Sequence, residues 1–187
     1  MLQMTRRTLL LMLVAIALSG AASTRAHAAS AAKINKEVNA ALKQLYASNP
    51  TAKVISENAK AVLVFPSIWK AGFIIGGQGG NGALRKGGKS IGYYNTAAAS
   101  YGLQAGVQAF GYALFFMTDS ALDYLDKHDG WEIGTGPSIV FVDKGFAKSI
   151  TSGTLTDEIY AIIFDQKGLM AGIGIQGSKI TKIHPHK

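Results

Sequence analysis

Between Ala61 and Met117 the chain runs as short apolar stretches punctuated by glycine, and this texture constrains the fold more than any other feature. Ala61–Phe65 (AVLVF), stopped by Pro66, reads as a buried strand. Gly72–Ile75 is another, and it enters a glycine cluster, Gly76–Gly82, that reads as a loop. Ser90–Tyr94, Tyr101–Phe110 and Ala113–Met117 continue the series. Gly102–Gln108 mixes small and polar residues, as strands do in a tight sheet or barrel where glycine lets backbones approach closely.

Helical spacing flanks this stretch. Ile34, Val38, Ala41, Leu42, Leu45 and Tyr46 recur on one face, with Lys33, Lys36, Glu37, Lys43 and Gln44 on the other, so an amphipathic helix ends near Asn49-Pro50. Asn49 is placed to cap a second short helix carrying Val54 and Ile55, with Pro50 in its first turn. Such a helix either lies on a lipid surface or packs on the chain's own sheet, and packing is the expectation. Thr118–Lys127 reads as a helix capped by Thr118, with Leu122 and Leu125 inward and Gly130 at its end. Trp131–Ile133 and Ser138–Asp143 read as strands about the turn Gly134–Pro137, and Ile159–Phe164 and Leu169–Ile175 as a hairpin around Asp165–Gly168. Strands and helices do not alternate, which argues against a doubly wound parallel sheet. The expected class is α+β: N-terminal helices packed on a curved, mainly antiparallel, glycine-rich β-sheet or partial barrel.

The N-terminus reads as an address. Arg6 and Arg7 precede the apolar run Leu9–Leu18, and Ala26-His27-Ala28 offers an A-x-A cleavage site. The run is about half the ~20 residues needed to span a bilayer, so a cleaved signal peptide fits better than an anchor. The paired arginines suit either a twin-arginine or an ordinary secretory route. Cysteine is absent, which excludes a lipid-modified N-terminus, disulfides and thiol chemistry. The expected organisation is a signal peptide at 1–28, an amphipathic helix at 29–48, the main domain at 49–182 and a tail at 183–187. The expected location is the periplasm or cell envelope of a bacterium.

Cleavage removes Arg6, Arg7 and Arg25 and lowers the formal charge from +8 to +5. The remaining charge is unevenly placed. No acidic residue stands between Glu57 and Asp119, whereas Lys60, Lys70, Arg85, Lys86 and Lys89 do. Such a segment points to an anionic partner, the alternative being cations scattered over a solvated surface.

The motifs that suggest catalysis fail on context. Gly77–Gly82 and Gly172–Gly177 both fit G-x-G-x-x-G. Dinucleotide binding needs that motif to open a helix, with an acid about 20 residues on. After Gly82 come Ala83-Leu84-Arg85-Lys86-Gly87-Gly88, no helix, and no acid follows in range. Gly88-Lys89-Ser90 echoes a phosphate-binding loop, but Ala83 stands where its first glycine belongs. Gly88–Gly92 fits G-x-S-x-G, which needs a strand–turn–helix setting and later Asp and His partners. After cleavage the histidines are His128, His184 and His186, two of them in the tail. Asp119, Asp123 and Asp126 share a helical face without the spacing of a calcium loop. No catalytic residue, metal or cofactor is expected, and no nucleic-acid partner.

The candidate site is a binding site. The loop Gly76–Gly82, with Gly77, Gly79, Gly80 and Gly82, offers backbone N–H groups as a nest for an anion, and Arg85, Lys86 and Lys89 stand beside it. Trp69 and Lys70 lie just upstream, and tryptophan favours a membrane–water interface. Together they suit an anionic lipid headgroup. The alternative is a tight hairpin with an exposed basic tip.

From Asn49 to Lys182 the sequence resembles the SYLF domain, a lipid-binding family. The resemblance rests on Ala61-Val-Leu-Val-Phe65-Pro66, Lys70-Ala-Gly-Phe73 and the Gly76–Gly82 cluster, then Ser100-Tyr-Gly-Leu-Gln-Ala-Gly106. It continues through Gly136-Pro137, Asp157-x-Ile159-Tyr160 and Gly168-Leu-Met-Ala-Gly172 to Gln176-Gly-Ser-Lys-Ile180. Gly92-Tyr93-Tyr94-Asn95 departs from the Trp-Ser-x-Pro-like stretch of eukaryotic members. The resemblance implies lipid binding without catalysis and leaves the ligand open. Anionic phospholipid or a membrane surface is the expected partner; the alternative is an envelope structural or adaptor protein that binds another protein through its sheet.

Overall fold

The computed structural model describes residues 30–126, 130–142, 152–168, 175 and 177–186. The expected signal peptide and the 169–174 part of the expected C-terminal hairpin lie outside them.

Helix α1 (Ala31–Ser48) is capped by Ser30, whose side chain accepts from the Lys33 amide at 3.3 Å. Its buried stripe is Ile34, Val38, Ala41 and Leu45. Asn49 serves two helices. Its amide donates to the Leu45 carbonyl at 2.8 Å to close α1, and its Oδ1 accepts from Ala52 N at 3.1 Å to open α2 (Pro50–Asn58). The stripe of α1, with Ala52 and Ile55 of α2, shares one core with Val62, Val64, Ala83, Ala113, Phe115, Tyr160 and Ile162 of the sheet. Burial of a large aliphatic side chain is worth about 1.5–3 kcal/mol, so α1 gains several of these by packing on its own sheet, as expected.

The strands expected separately merge into two long ones, β1 (Ala61–Lys86) and β2 (Lys89–Phe116), paired antiparallel. Pro66 does not stop β1. The ladder shifts register between Phe65 and Ile68, and at such an irregularity the missing proline N–H costs no ladder bond. After β2 comes α3 (Asp119–Asp123), capped by Thr118, whose Oγ1 accepts from Ala121 N at 3.2 Å, and a 3₁₀ turn at Tyr124–Asp126. Strands β3 (Trp131–Glu132), β4 (Ile139–Phe141), β5 (Ile159–Gly168) and β6 (Lys179–Ile183) complete the described sheet. Its order is β3-β6-β2-β5-β4, with β1 also on β2; β4 and β5 are parallel and the other pairs antiparallel. This is the α+β class expected.

Asp165–Gly168 is not a turn. β5 continues through it, Gln108 opposing Gly168 and Ala109 opposing Lys167. The turn-like residues are absorbed by a register shift between Ala109 and Gly111, where Asp165 takes a φ of 51°.

The long β1–β2 ribbon curls so that its halves meet. A Cβ on Gly80 would strike the Ser67 carbonyl and Ile68, and one on Gly82 would strike the Val64 carbonyl and the Phe65 ring. The concave side holds a second core of Leu63, Phe65, Leu84, Tyr94, Tyr112 and Phe116, joined by Leu125, Trp131 and Ile180. Within it the Tyr112 hydroxyl donates to Thr96 Oγ1 at 2.8 Å, tying the two halves of β2 together.

Candidate functional site

The β1–β2 hairpin closes with Lys86 opposite Lys89 around Gly87-Gly88. These glycines have φ of 55° and 77°, the left-handed pair that a two-residue hairpin turn requires. Arg85 clasps the turn. Its Nη2 donates to the Gly88 carbonyl and its Nη1 to Ser90 Oγ at 2.8 Å. Ser90 Oγ in turn donates to Asn35 Oδ1 at 2.6 Å, and Asn35 Nδ2 donates to the Tyr93 hydroxyl at 2.9 Å. This polar chain latches the tip to α1. Arg85 Nε is buried, with no hydrogen-bond partner among the described residues.

Between the tip and the helical pair lies a cavity of about 320 Å³. Tyr46 and Ser56 approach it from the helices, Lys60 from the entry to β1, and Arg85, Lys86 and Gly87 from the tip. The Tyr46 hydroxyl and Ser56 Oγ are 2.8 Å apart. Burial pushes the Tyr46 phenol above its ordinary value, partly offset by the Ser56 bond, so it stays protonated at neutral pH. Among the described residues no acidic one lines the cavity. Ion pairs among the described residues are Lys33–Glu37, Lys167–Asp165 and Lys182–Asp126, and none involves Lys60, Lys86 or Lys89, which are all exposed.

The expected site residues do not form one constellation. Gly77, Gly79, Gly80 and Gly82 are ladder residues of β1, opposite Ala99, Ala97, Thr96 and Tyr94 in register order with the strand. None has the left-handed φ that a nest uses, so the glycine loop is replaced by a strand whose glycines serve close packing. Trp69 and Lys70 point to opposite faces, as strand neighbours must. Trp69 is 62% exposed, whereas Lys70 is 8% exposed and lies opposite buried Gln108. Gly80 packs level with Ser67 and Ile68, so six strand residues, roughly 20 Å at ~3.3 Å each, separate the Trp69 level from Lys86. Lys86 and Lys89 do meet at the tip, as does Arg85, though its guanidinium is committed to the turn. Tyr46, Ser56 and Lys60 were not in the expected set. They become neighbours of Lys86 only because the ribbon folds back beside the α1–α2 corner.

Ser90 sits in β2 and is hydrogen-bonded to Arg85 and Asn35, which are neither a base nor an acid pair for it. Among the described residues no group of His, Asp or Glu is arranged to hold a metal. Residues 97–184 match the family model described as Ysc84, Las17-binding protein actin regulator. The match is consistent with a SYLF (Ysc84) domain over that stretch. The match runs from Ala97, within β2, through β6; β1 pairs with the matched part of β2 from Ala61 to Gly79, and the hairpin tip lies before it. Comparison with curated proteins finds no significant match. The family's description names binding and regulation rather than a reaction.

Proposed function

We propose that this SYLF protein is exported, has no enzymatic activity, and docks on anionic phospholipid at the cell-envelope surface through its basic hairpin tip. The observation that supports it is the grouping of exposed Lys86 and Lys89 on a glycine turn, with Lys60 across the adjoining cavity and no acidic partner among the described residues. A cation held near an anionic membrane contributes about 1 kcal/mol, so three of them suit reversible, salt-sensitive attachment. Among the described residues no helix is long and apolar enough to cross a membrane. The Arg6-Arg7 signal pattern supports export, and an envelope setting favours bulk phospholipid over phosphoinositide.

Vesicle sedimentation tests the reading. The full chain should pellet with vesicles containing phosphatidylglycerol and remain in solution with phosphatidylcholine alone; equal binding to both contradicts it. A second reading, a protein partner, is favoured by one observation. Trp69 and Val107, exposed by 62% and 55%, lie diagonally on one face of the β1–β2 ladder. A stoichiometric partner lost on Trp69→Ala, with no vesicle binding, would establish that reading instead.

A further inference from the structure

The cavity between the helices and the tip has more structure than surface docking requires. Two lysines and an arginine share it without an acid among the described residues, a condition that places like charges together. Facing them is the Tyr46–Ser56 hydroxyl pair, which, with one hydrogen spent between the two, has one donor left to offer. Arg85, held rigid by Gly88 and Ser90, keeps one buried N–H free of any partner among the described residues. A buried donor left unpaired is unfavourable, so an acceptor supplied by a ligand would recover that loss. The walls also include apolar Leu42 and Val62. At ~10–15 Å³ of such space for each water, the cavity has ample room for a group of about ten heavy atoms.

We infer that this cavity is a pocket for a single phosphate monoester or diester group carrying a small polyol, bound by Lys60 and Lys86 with the Tyr46 and Ser56 hydroxyls. A glycerophosphate group has that charge and size. Two sources present it: the headgroup of an anionic phospholipid, or a soluble sugar or glycerol phosphate. The inference deepens the membrane reading by naming the subsite, and in its lipid form it rests on that reading. The phosphate oxygens satisfy the lysines and the Arg85 N–H, while the aliphatic walls take the carbon skeleton. Lys89 is not a wall of the cavity and serves only the surrounding field.

Titration calorimetry of the full chain with sn-glycerol 3-phosphate, and in parallel with glycerol, tests the pocket. Saturable binding of the phosphate, none of glycerol, and at least tenfold weakening in Lys60→Gln and Lys86→Gln are expected. Lys89→Gln should change affinity less than threefold. Tyr46→Phe, which keeps the ring, should weaken binding severalfold without loss of the folded circular dichroism spectrum. No saturable binding of glycerol phosphate, or equal effects of the Lys60 and Lys89 changes, overturns the pocket. Vesicle sedimentation of the same variants separates the sources. If Lys60→Gln and Lys86→Gln lose both ligands, the occupant is a lipid headgroup. If they lose glycerol phosphate and the native chain ignores anionic vesicles, the pocket stands with a soluble ligand and the membrane reading falls. If native vesicle binding persists in these variants and glycerol phosphate never binds, the membrane reading stands and the pocket falls.

Discussion

Ser90 Oγ donates to Asn35 Oδ1 at 2.6 Å, across 55 residues of sequence, and this bond joins the hairpin tip to the first helix. Because Ser90 also accepts from Arg85, one hydroxyl holds the clasp of the turn and its anchor to α1 together. Ser90→Ala leaves Asn35 and Arg85 each short of a partner in a half-buried setting. Removing one partner of such a bond costs about 1–3 kcal/mol. Urea unfolding should show a loss in that range, and an unchanged midpoint would contradict the latch.

The curl of the ribbon depends on particular glycines. Gly82→Ala places a methyl against the Val64 carbonyl and Phe65 ring, both buried, and should destabilise by about 1–3 kcal/mol or more. Gly77→Ala is the internal control, because among the described residues its Cβ would meet only Ala98 O at 3.8 Å, an ordinary contact. Thermal melts of the two variants should therefore separate clearly. Equal melting temperatures would mean that the halves of β1 do not close as described.

The contrast between these glycines explains what could be read from the sequence. The helices were legible because Ile34, Val38, Ala41 and Leu45 repeat at helical spacing and Asn49-Pro50 carries its own punctuation. The strand content was legible from apolar runs. The joining of those runs was not, because Pro66 and Gly76–Gly82 are local signals for breaks, and only the curl supplies their other use. The same holds for the site. Lys86 and Lys89 announced a basic tip, but Lys70 reads as surface charge in one dimension and is buried in three. Tyr46, Ser56 and Lys60 carry no shared motif, since their proximity to Lys86 is made by a fold-back of some twenty-five strand residues.

Alkaline pH should unfold the protein through its interior phenols. Burial, with the Asp126 carboxylate adding to it, pushes Tyr94 up to about 12 from 10.0. Burial pushes Tyr112 well above its ordinary value, although its bond to Thr96 acts the other way. In the unfolded chain both phenols ionise near pH 10, so the unfolded state gains charge first. The stability they protect is fully present below pH 10 and is lost as pH rises from about 10 toward 12 and beyond. Tyr112→Phe should flatten this loss in a pH series of urea midpoints; an unchanged slope would contradict the buried neutral phenol.

The two tryptophans should report opposite environments. Trp69 is 62% exposed, whereas Trp131 is 1% exposed and donates through Nε1 to the Thr135 carbonyl at 2.7 Å. Acrylamide should quench one emission component strongly and the other weakly. Trp69→Phe should remove the accessible component and leave a blue-shifted spectrum; removal of the protected component instead would reverse the faces of β1.

The central claim is that the hairpin-tip cations dock the protein on anionic phospholipid, and the most direct measurement is sedimentation of the full chain with phosphatidylglycerol-containing vesicles at 0.1 M and 1 M salt. Raising the salt shortens the Debye length from about 10 Å to about 3 Å, so binding through exposed lysines should fall steeply. The Lys86→Ala, Lys89→Ala double variant should lose most of the low-salt binding. Binding that is undiminished in both the double variant and high salt would contradict the claim.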